Sequence, residues 1–345
     1  MSLPTPHART RLTDLADQAG VSTATVSRVL NGKHGVSTQT RQAVLAALDV
    51  LGYERPERLR TRSAGLVGLV VPELTNPVFP AFAQAIESML AEVGYTPLLC
   101  TQAPGGTTED AYVEMLLEHD VAGIVFVSGL HADSTATRER YHRLRSRGLP
   151  IVLVNGYAEG VDAPTVSADD SAAMDLAFRH LVSLGHRRIG LAIGPERFIP
   201  AQRKVRAFAE NLARHLDVHA PAEHLVTTLF TVEGGQAAAG ELIGSGHTAI
   251  ICGSDLMALG VIRAARGRGL DVPGDLSVIG YDDSPLIAFT DPPLTTVRQP
   301  VPAMAHAAVS ALVAEINGTT VPRTELLFHP ELIVRGSTGT APVVP

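Results

Sequence analysis

Hydrophobic positions recur with two different periods along the chain. Between residues 12 and 51 they recur every three or four positions, which is the spacing of short amphipathic helices. From Leu66 onward, apolar runs of five or six residues alternate with longer amphipathic segments. The pattern predicts a small all-α head over residues 1–52, a linker over residues 53–65 and an α/β body over residues 66–345.

The apolar runs of the body are predicted strands. They read LVGLVV, YTPLLC, GIVFV and PIVLV in the first half, and RIGLAI, TAIIC and LSVIG in the second. Predicted helices lie near residues 78–93, 108–118, 135–147, 169–184, 200–216, 233–245 and 254–268. Strands that alternate with helices form parallel sheets covered by helices on both faces. The two halves therefore predict two α/β lobes.

The first two predicted helices of the head are joined at Gly20, a residue suited to the left-handed turn that follows a helix end. Ser22 is the expected cap of the second helix. Val26, Val29 and Leu30 fall on the apolar side of that helix. The residues on its outward side are Thr23, Ala24, Ser27, Arg28 and Asn31. A polar helix face of this kind fits the major groove of DNA.

The net charge of −7 is unevenly distributed along the chain. Residues 1–62 contain nine Lys or Arg against five Asp or Glu, whereas residues 63–345 contain nineteen against thirty. The positive end coincides with the helical head, which places nucleic-acid binding there, and the acidic body should repel a duplex. DNA binding is therefore expected to weaken as the salt concentration rises.

Composition and motifs exclude several other classes of protein. The chain begins without a charged segment leading into an apolar one, and no apolar run approaches the ~20 residues of a membrane span, so a cytoplasmic protein with no membrane contact is expected. Cys100 and Cys252 end separate apolar runs and are expected to be reduced core thiols. No Gly-rich phosphate loop, metal-ligand spacing or nucleophile elbow occurs, so no cofactor, metal ion or catalysis is expected.

The segment LTDLADQAGVSTATVSRVLN, residues 12–31, resembles the DNA-binding head of the lactose-repressor (LacI/GalR) family. The likeness continues to Leu51-Gly52-Tyr53 and resumes in the body at LVSLGHRRIGLAIGP, GSDLMALG, VIGYDDSPLIAFTDPPLTTVRQP and ELIVRGST. It implies a homodimeric regulator that binds a palindromic operator in double-stranded DNA. The DNA-contacting residues that it implies in the head are Ser22, Thr23, Ala24, Thr25, Ser27, Arg28, Asn31, Ser37, Thr40, Arg41 and Tyr53.

The same resemblance implies a two-lobed body like that of periplasmic sugar-binding proteins. The chain is expected to cross between the lobes near residues 160–168, 290–298 and 326–330. The amino-terminal lobe is expected at about residues 66–163 and 297–326, and the carboxy-terminal lobe at about 164–296 and 327–340. In the family, a small effector bound between the lobes changes their arrangement, so effector and operator binding oppose each other.

The linker after Tyr53 departs from the family pattern, because it is short and lacks the usual Pro-Asn and Ala-Arg-x-Leu motifs. Leu59 is a candidate for the apolar wedge that the family inserts into the minor groove. Two other interpretations stay open: arginines that enter a narrow minor groove, and a basic linker that contacts phosphates. The arginines concerned are Arg55, Arg58, Arg60 and Arg62.

Ligands of open parallel sheets bind at the carboxyl ends of the strands, so the side chains that follow each predicted strand form the candidate effector site. They are Asn76, Phe79, Asn155, Tyr157, Phe198, Arg203, Lys204, Ser254, Asp255, Tyr281 and Asp282, with Gln299 near a crossover. Amides, carboxylates, cations and flat rings together suit a sugar. The family resemblance implies effector contact for Phe79, Asn155, Asp282 and Gln299, and it matches Asp255 to a motif aspartate.

Lys204 departs from the family pattern. It stands where relatives place an arginine that grips the effector, and a lysine offers a point charge in place of a bidentate fork. Arg203 is one candidate replacement for that arginine. The other interpretation is a solvated basic turn formed by Arg203, Lys204 and Arg206.

Segments of the body such as PELTNPVFPAFAQ and QAPGGTTEDAYVEML further resemble actinobacterial regulators of maltose and maltodextrin utilisation within this family. The resemblance implies a repressor of carbohydrate-utilisation genes that a small sugar, maltose or a malto-oligosaccharide, releases from its operator. Three other effectors remain as alternatives: another oligosaccharide, a sugar phosphate and a purine-type corepressor. A sugar-binding protein with no regulatory role is the alternative outside the family.

Overall fold

The computed structural model of the protein describes residues 12–31, 33, 35–53, 63–102 and 105–342. Its helices are α1 (Leu12–Ala19), α2 (Thr23–Leu30), α3 (Thr38–Val50), α4 (Val78–Glu92), α5 (Glu109–Glu118), α6 (Glu139–Ser146), α7 (Asp170–Ser183), α8 (Ile199–Leu216), α9 (Val232–Gly244), α10 (Asp255–Arg266) and α11 (Val301–Ile316). Its strands are β1 (Gly65–Val71), β2 (Tyr95–Thr101), β3 (Gly123–Val127), β4 (Ile151–Val154), β5 (Thr165–Ala168), β6 (Ile189–Ile193), β7 (Leu225–Thr227), β8 (Ala249–Cys252), β9 (Ser277–Asp282), β10 (Thr295–Arg298), β11 (Glu325–Phe328) and β12 (Glu331–Ile333). The chain divides after Ala64 into two compact units.

The first unit, the head, is built from α1, α2 and α3. The Oγ of Ser22 accepts a hydrogen bond from the backbone N–H of Thr25 at 3.2 Å, and Ser37 caps α3 in the same way through Thr40 at 3.1 Å. Each serine satisfies an N–H group that a helix start leaves unpaired. The core residues of the head are Leu15, Ala16, Val26, Val29, Val44, Ala47 and Leu48. The helical head predicted from the sequence is confirmed.

Among the described residues, six strands form the sheet of the first lobe in the order β11-β5-β4-β3-β1-β2, with all neighbours parallel. Helix α4 covers one face with a stripe of buried side chains at four-residue spacing: Val78, Phe82, Ile86 and Leu90. Burying one side chain of this size stabilises the fold by about 1.5–3 kcal/mol. Helix α11, which the apolar pattern did not predict, packs beside α4 in the same core.

The second lobe repeats this plan with the strand order β12-β10-β9-β8-β6-β7. Its neighbours are parallel except for β12, which runs antiparallel to β10. Helices α7 and α8 cover one face of the sheet, and α9 and α10 cover the other. The expected architecture of a helical head and a two-lobed α/β body is therefore confirmed, with one antiparallel edge that the sequence did not predict.

The lobe boundaries differ from the expected ones by a few residues. Strands β5 and β11 belong to the first sheet and β10 belongs to the second, so the chain changes lobe after Ala168, after Arg298 and after Phe328. The expected division put residues from 164 and from 327 into the second lobe and residues from 297 into the first. The difference arises because TVSA and TTVR are short and partly polar, so they lack the apolar run by which the other strands were recognised.

Cys100 and Cys252 are buried free thiols in different lobes, on β2 and β8. Burial raises the pKa of the Cys100 thiol to about 11, so this thiol stays protonated at neutral pH. Within the described ranges, no helix is long and apolar enough to cross a membrane, and no cluster of His, Cys, Asp and Glu is arranged to hold a metal ion.

Buried histidines form internal hydrogen bonds in the second lobe. The ring of His186 hydrogen-bonds Thr248 Oγ1 at 2.9 Å and Ser277 Oγ at 3.0 Å. His247 Nδ1 bonds the carbonyl of Leu242 at 2.9 Å, and its Nε2 lies 3.0 Å from His224 Nδ1. Burial lowers the pKa of His186 and of His247 below the ordinary value of 6.5, because the charged ring loses hydration.

We expect His186 and His247 to destabilise the fold as the pH falls from about 7 to 5, whereas the carboxyl groups with raised pKa, Asp255 and Asp282, favour the fold over the same range. The unfolded histidines take up protons through this range, whereas the folded ones resist, so the contribution of these two histidines to stability is fully present above about pH 7 and is lost as the pH falls through 6.5. The measurement is the urea midpoint at several pH values. Relative to its own stability at pH 7, His186→Gln should keep more stability at pH 5 than the wild type does, and the exposed His142→Gln should match the wild type. If the urea midpoint changed with pH equally in the wild type and both variants, His186 would not be a source of the pH dependence.

Candidate functional site

The first candidate surface is the outward face of α2. Ser22, Thr23, Ala24, Arg28 and Asn31 are exposed there, and Thr25 and Ser27 are half-buried. The side-chain amide of Asn31 donates to the carbonyl of Ser27 at 2.8 Å, so it is oriented along this face. Opposite this face, Val26 and Val29 anchor the helix to the core. A polar helix face held in place by its apolar side is one of the structures that read base edges in the major groove.

The other expected DNA-contacting residues fall into two groups. Ser37 is exposed and caps α3, while Thr40, Arg41 and Tyr53 are half-buried. The ring of Tyr53 packs against the head core. The linker residues Arg55, Arg58, Leu59, Arg60 and Arg62 lie outside the described residues, so the three interpretations of the linker stay predictions.

The second candidate site is a cleft of about 270 Å³ between the two lobes, at the carboxyl ends of strands from both sheets. This is the position at which open α/β sheets bind ligands. The structure brings most of the expected effector residues together there. Those that line the cleft are Asn76, Phe79, Asn155, Phe198, Lys204, Ser254, Tyr281, Asp282 and Gln299.

Three expected residues do not line the cleft. Arg203 makes a bidentate contact with Glu325, with both N–O distances 2.8 Å. Its side chain lies on a different side of α8 from that of Lys204. Asp255 is buried behind the wall, where its carboxylate accepts from the Ser284 N–H at 2.7 Å and the Thr296 hydroxyl at 2.6 Å. Tyr157 is 36% exposed outside the cleft.

The alternative interpretation, a solvated basic turn, is wrong as well, because the three residues concerned lie on α8. Arg206 is exposed and pairs with Glu210, whereas Lys204 is buried. Arg203 is therefore not the replacement for the arginine of the family, and it instead connects the second lobe to β11 of the first.

Sequence reasoning missed Asp170 and Phe230, which also line the cleft. Asp170 begins α7 directly after β5, and Phe230 follows β7. A search of the residues after every strand would include both. The sequence did not predict β5 and β7, because these two strands are short and only partly apolar. Glu73 and Ser128 are further polar residues of the lining.

Aromatic rings form much of the cleft wall. The centroids of Phe198 and Phe230 lie 6.4 Å apart. Phe230 occupies space left by two glycines at the ends of β6 and β8, since a Cβ on Gly194 would lie 2.1 Å from the ring and one on Gly253 would lie 3.0 Å from it. The two glycines are therefore needed for the ring to reach the cleft, where it presents a flat apolar face.

A chain of hydrogen bonds forms the polar side of the cleft. Gln299 Nε2 donates to Asp282 Oδ1 at 2.7 Å, and Asn155 Nδ2 donates to Gln299 Oε1 at 3.2 Å. Burial, and then the neighbouring Asp255 carboxylate, raise the pKa of Asp282 well above its usual range. Burial also raises the pKa of Asp255 to about 6. Such perturbed carboxylates are typical of functional sites.

Asn155 and Asp282 also have unusual backbone conformations, with φ of 58° and 117°. Positive φ values strain residues other than glycine, and strain of this kind concentrates at ligand sites. Asn155 directly follows β4, and Asp282 is the last residue of β9. The turn at each strand end directs the side chain toward the cleft lining.

Direct contacts hold the two lobes together at the rim of the cleft. Arg197 Nε lies 2.9 Å from Asp133 Oδ2, and the Ser134 N–H donates to the Arg197 carbonyl at 2.8 Å. Gln202 adds a hydrogen bond to the Ser134 hydroxyl at 3.0 Å. Asp133 and Ser134 follow β3 of the first lobe, whereas Arg197 and Gln202 belong to the second. These polar contacts beside the candidate site connect the lobes, in addition to the Arg203–Glu325 pair and the three crossovers of the chain.

Comparison with known proteins follows the same division of the chain. Residues 11–56 match the bacterial regulatory proteins of the lacI family, and residues 178–338 match the periplasmic binding protein-like domain. The chain is 63% identical over 336 residues to the HTH-type transcriptional regulator MalR of Streptomyces coelicolor, a match that covers 96% of this chain and 98% of that protein.

Solved structures show the same likeness over nearly the whole chain. The complex of transcriptional regulator CelR with cellobiose aligns with a TM-score of 0.71 at 29% identity, covering 95% of this chain and 100% of that one. The lac repressor dimer bound to operator and the anti-inducer ONPF aligns with a TM-score of 0.70 at 26% identity, covering 96% and 100%. These three proteins are regulators of transcription, not enzymes.

Proposed function

This chain belongs to the lacI family of bacterial regulatory proteins, and from that premise we propose that it represses genes for the use of maltose or malto-oligosaccharides. In this proposal a homodimer holds two heads on a palindromic operator, and a gluco-oligosaccharide in the cleft releases it. The exposed polar face of α2 is the surface that reads base edges in the major groove.

The observation that carries the sugar assignment is the make-up of the cleft. Phe79, Phe198, Phe230 and Tyr281 offer flat apolar faces, and Asp282, Gln299 and Asn155 offer an ordered row of acceptors and donors. Sugar rings have apolar faces and hydroxyl edges, so they need this combination. The sequence likeness to regulators of maltodextrin use and the 63% identity to MalR support glucose units as the building block.

We propose that sugar binding and operator binding are coupled through the arrangement of the two lobes. A sugar that bridges Asn155 of the first lobe and Asp282 of the second favours one lobe arrangement over others. A ligand shifts such an equilibrium only by its difference in affinity for the two states. Operator and sugar then oppose each other through the same equilibrium, and each lowers the affinity for the other by the same factor.

The test is a titration of the operator complex with candidate effectors. Purified full-length protein is bound to DNA taken from beside its own gene, and maltose, maltotriose and sucrose are added in turn. Release by maltose or maltotriose at concentrations where sucrose has no effect is the expected result. Unchanged binding with every sugar would remove the sugar assignment, and tighter binding with any ligand would replace induction by corepression.

We expect Phe230→Ala to weaken sugar binding by about tenfold, since a lost aromatic contact costs roughly 0.5–1.5 kcal/mol beyond the lost buried area. Calorimetry with maltotriose on the full chain measures the change. Leu229→Ala is the matched control, because Leu229 precedes Phe230 but is 60% exposed and does not line the cleft. Operator affinity without sugar should be unchanged in both variants. An effect no larger at Phe230 than at Leu229 would show that the ring does not contact the sugar.

A further inference from the structure

Asp170 holds the ammonium group of Lys204 inside the cleft. Lys204 Nζ forms a short buried ion pair with Asp170 Oδ1, and both side chains are almost fully buried. The same ammonium lies 4.0 Å from the centroid of the Tyr281 ring. The Tyr281 hydroxyl donates to Asp170 Oδ1 at 3.4 Å, which fixes the carboxylate from a second side. The ammonium is thus enclosed by a carboxylate and an aromatic face.

The pair removes the positive charge that an anionic ligand needs. Among the described residues of the cleft lining, Lys204 is the one cation. The pair with Asp170 carries no net charge, whichever partner holds the proton. The nearby guanidinium of Arg203 is bound to both oxygens of Glu325 and lies outside the cleft. Arg197 faces Asp133 at the rim.

Apart from Lys204, Asp170 and the Tyr281 phenol, the ionisable groups of the lining are two carboxyl groups, Glu73 and Asp282. A phosphate monoester carries about −1.5 to −2 charges at pH 7. Burying that charge beside carboxyl groups and without a free cation has a large desolvation cost that no ion pair offsets. An uncharged sugar avoids this cost, because its hydroxyls need only the acceptors and donors already present.

We propose that Asp170 is a specificity-determining residue, which neutralises Lys204 and so makes the cleft accept uncharged sugars and reject their phosphate esters. The inference rests on the proposed function, since it takes a sugar as the ligand of the cleft. It names what the sugar assignment leaves open, namely the charge of the effector.

The test compares maltose with maltose 6′-phosphate by calorimetry on the full-length protein. The wild type should bind the phosphate ester at least about 100-fold more weakly than maltose, as expected for an unpaired buried charge. Asp170→Asn keeps the shape and a hydrogen-bond acceptor but frees the charge of Lys204. In this variant, the ratio of the affinity for maltose to the affinity for maltose 6′-phosphate should fall by about tenfold or more. Asp170→Glu keeps the carboxylate, so its ratio of maltose affinity to phosphate-ester affinity should return to the wild-type ratio.

Asp175→Asn is the matched control, because Asp175 lies on the same helix but outside the cleft, and it should retain the wild-type ratio. Equal affinity of the wild type for the two ligands would overturn the inference, and this measurement does not depend on whether any variant folds. An unchanged ratio in a folded Asp170→Asn protein would overturn it as well. Failure of the proposed function is a different result, in which the wild type binds neither maltose nor its phosphate.

Discussion

Asp282→Asn is expected to weaken sugar binding by between about 10- and 100-fold and to leave operator affinity without sugar unchanged. Leaving a buried polar group without its hydrogen-bond partner costs roughly 1–3 kcal/mol, and the amide keeps one acceptor oxygen in place of two. The side chains of Gln299, at 2.7 Å from Oδ1, and of Asn76 both hydrogen-bond the Asp282 carboxyl group, and a carboxyl oxygen that lines the cleft is the acceptor offered to a sugar hydroxyl. The variant turns that acceptor into a donor.

The comparison with Asp283→Asn makes this prediction specific. Asp283 is the adjacent carboxylate, but it lies 2.6 Å from Arg298 and 2.6 Å from Arg335 and does not line the cleft. Its substitution should lower the free energy of unfolding and leave sugar affinity nearly unchanged. Calorimetry with maltotriose and urea unfolding measure the two quantities. Equal sugar affinity for wild type and Asp282→Asn would show that Asp282 serves only the hydrogen-bond chain of the cleft.

Much of the fold was predictable because its core strands are apolar runs. GIVFV and PIVLV became β3 and β4, every residue of which is buried. Strands β5, β7 and β10–β12 were not recognised, since each has at most four residues and several are partly polar or partly exposed. Their recognition needs the neighbouring strands, to which they are hydrogen-bonded in three dimensions but not adjacent in sequence.

In the candidate site, too, the sequence alone does not determine which side chains come together. Lys204 and Arg203 are neighbours in sequence, and the sequence alone left open which of them faces a ligand. Each residue along a helix turns the side chain by about 100°, so one of them enters the cleft and the other reaches Glu325. Asp170, the partner of Lys204, is separated from it by 34 positions, and only the fold brings them together.

Arg28→Ala is expected to lower operator affinity at least about 30-fold and to relax sequence preference. Arg28 is exposed on the outward face of α2 and is the one basic residue of that helix. Loss of an arginine contact to a base costs about 1–3 kcal/mol, and a symmetric dimer loses it in both half-sites, which gives roughly 2–6 kcal/mol. Titration of labelled operator and of a scrambled duplex with each protein measures the change.

Arg206→Ala is the control for charge, because Arg206 is a highly exposed arginine of the body whose side chain is 84% exposed. It should bind operator as the wild type does, since phosphate contacts belong to the basic head and not to the acidic body. Urea unfolding of Arg28→Ala distinguishes a loss of base readout from a loss of stability of the head. If Arg28→Ala unfolds more easily and keeps its preference for operator over scrambled DNA, then Arg28 stabilises the head and base readout belongs to the other exposed residues of α2.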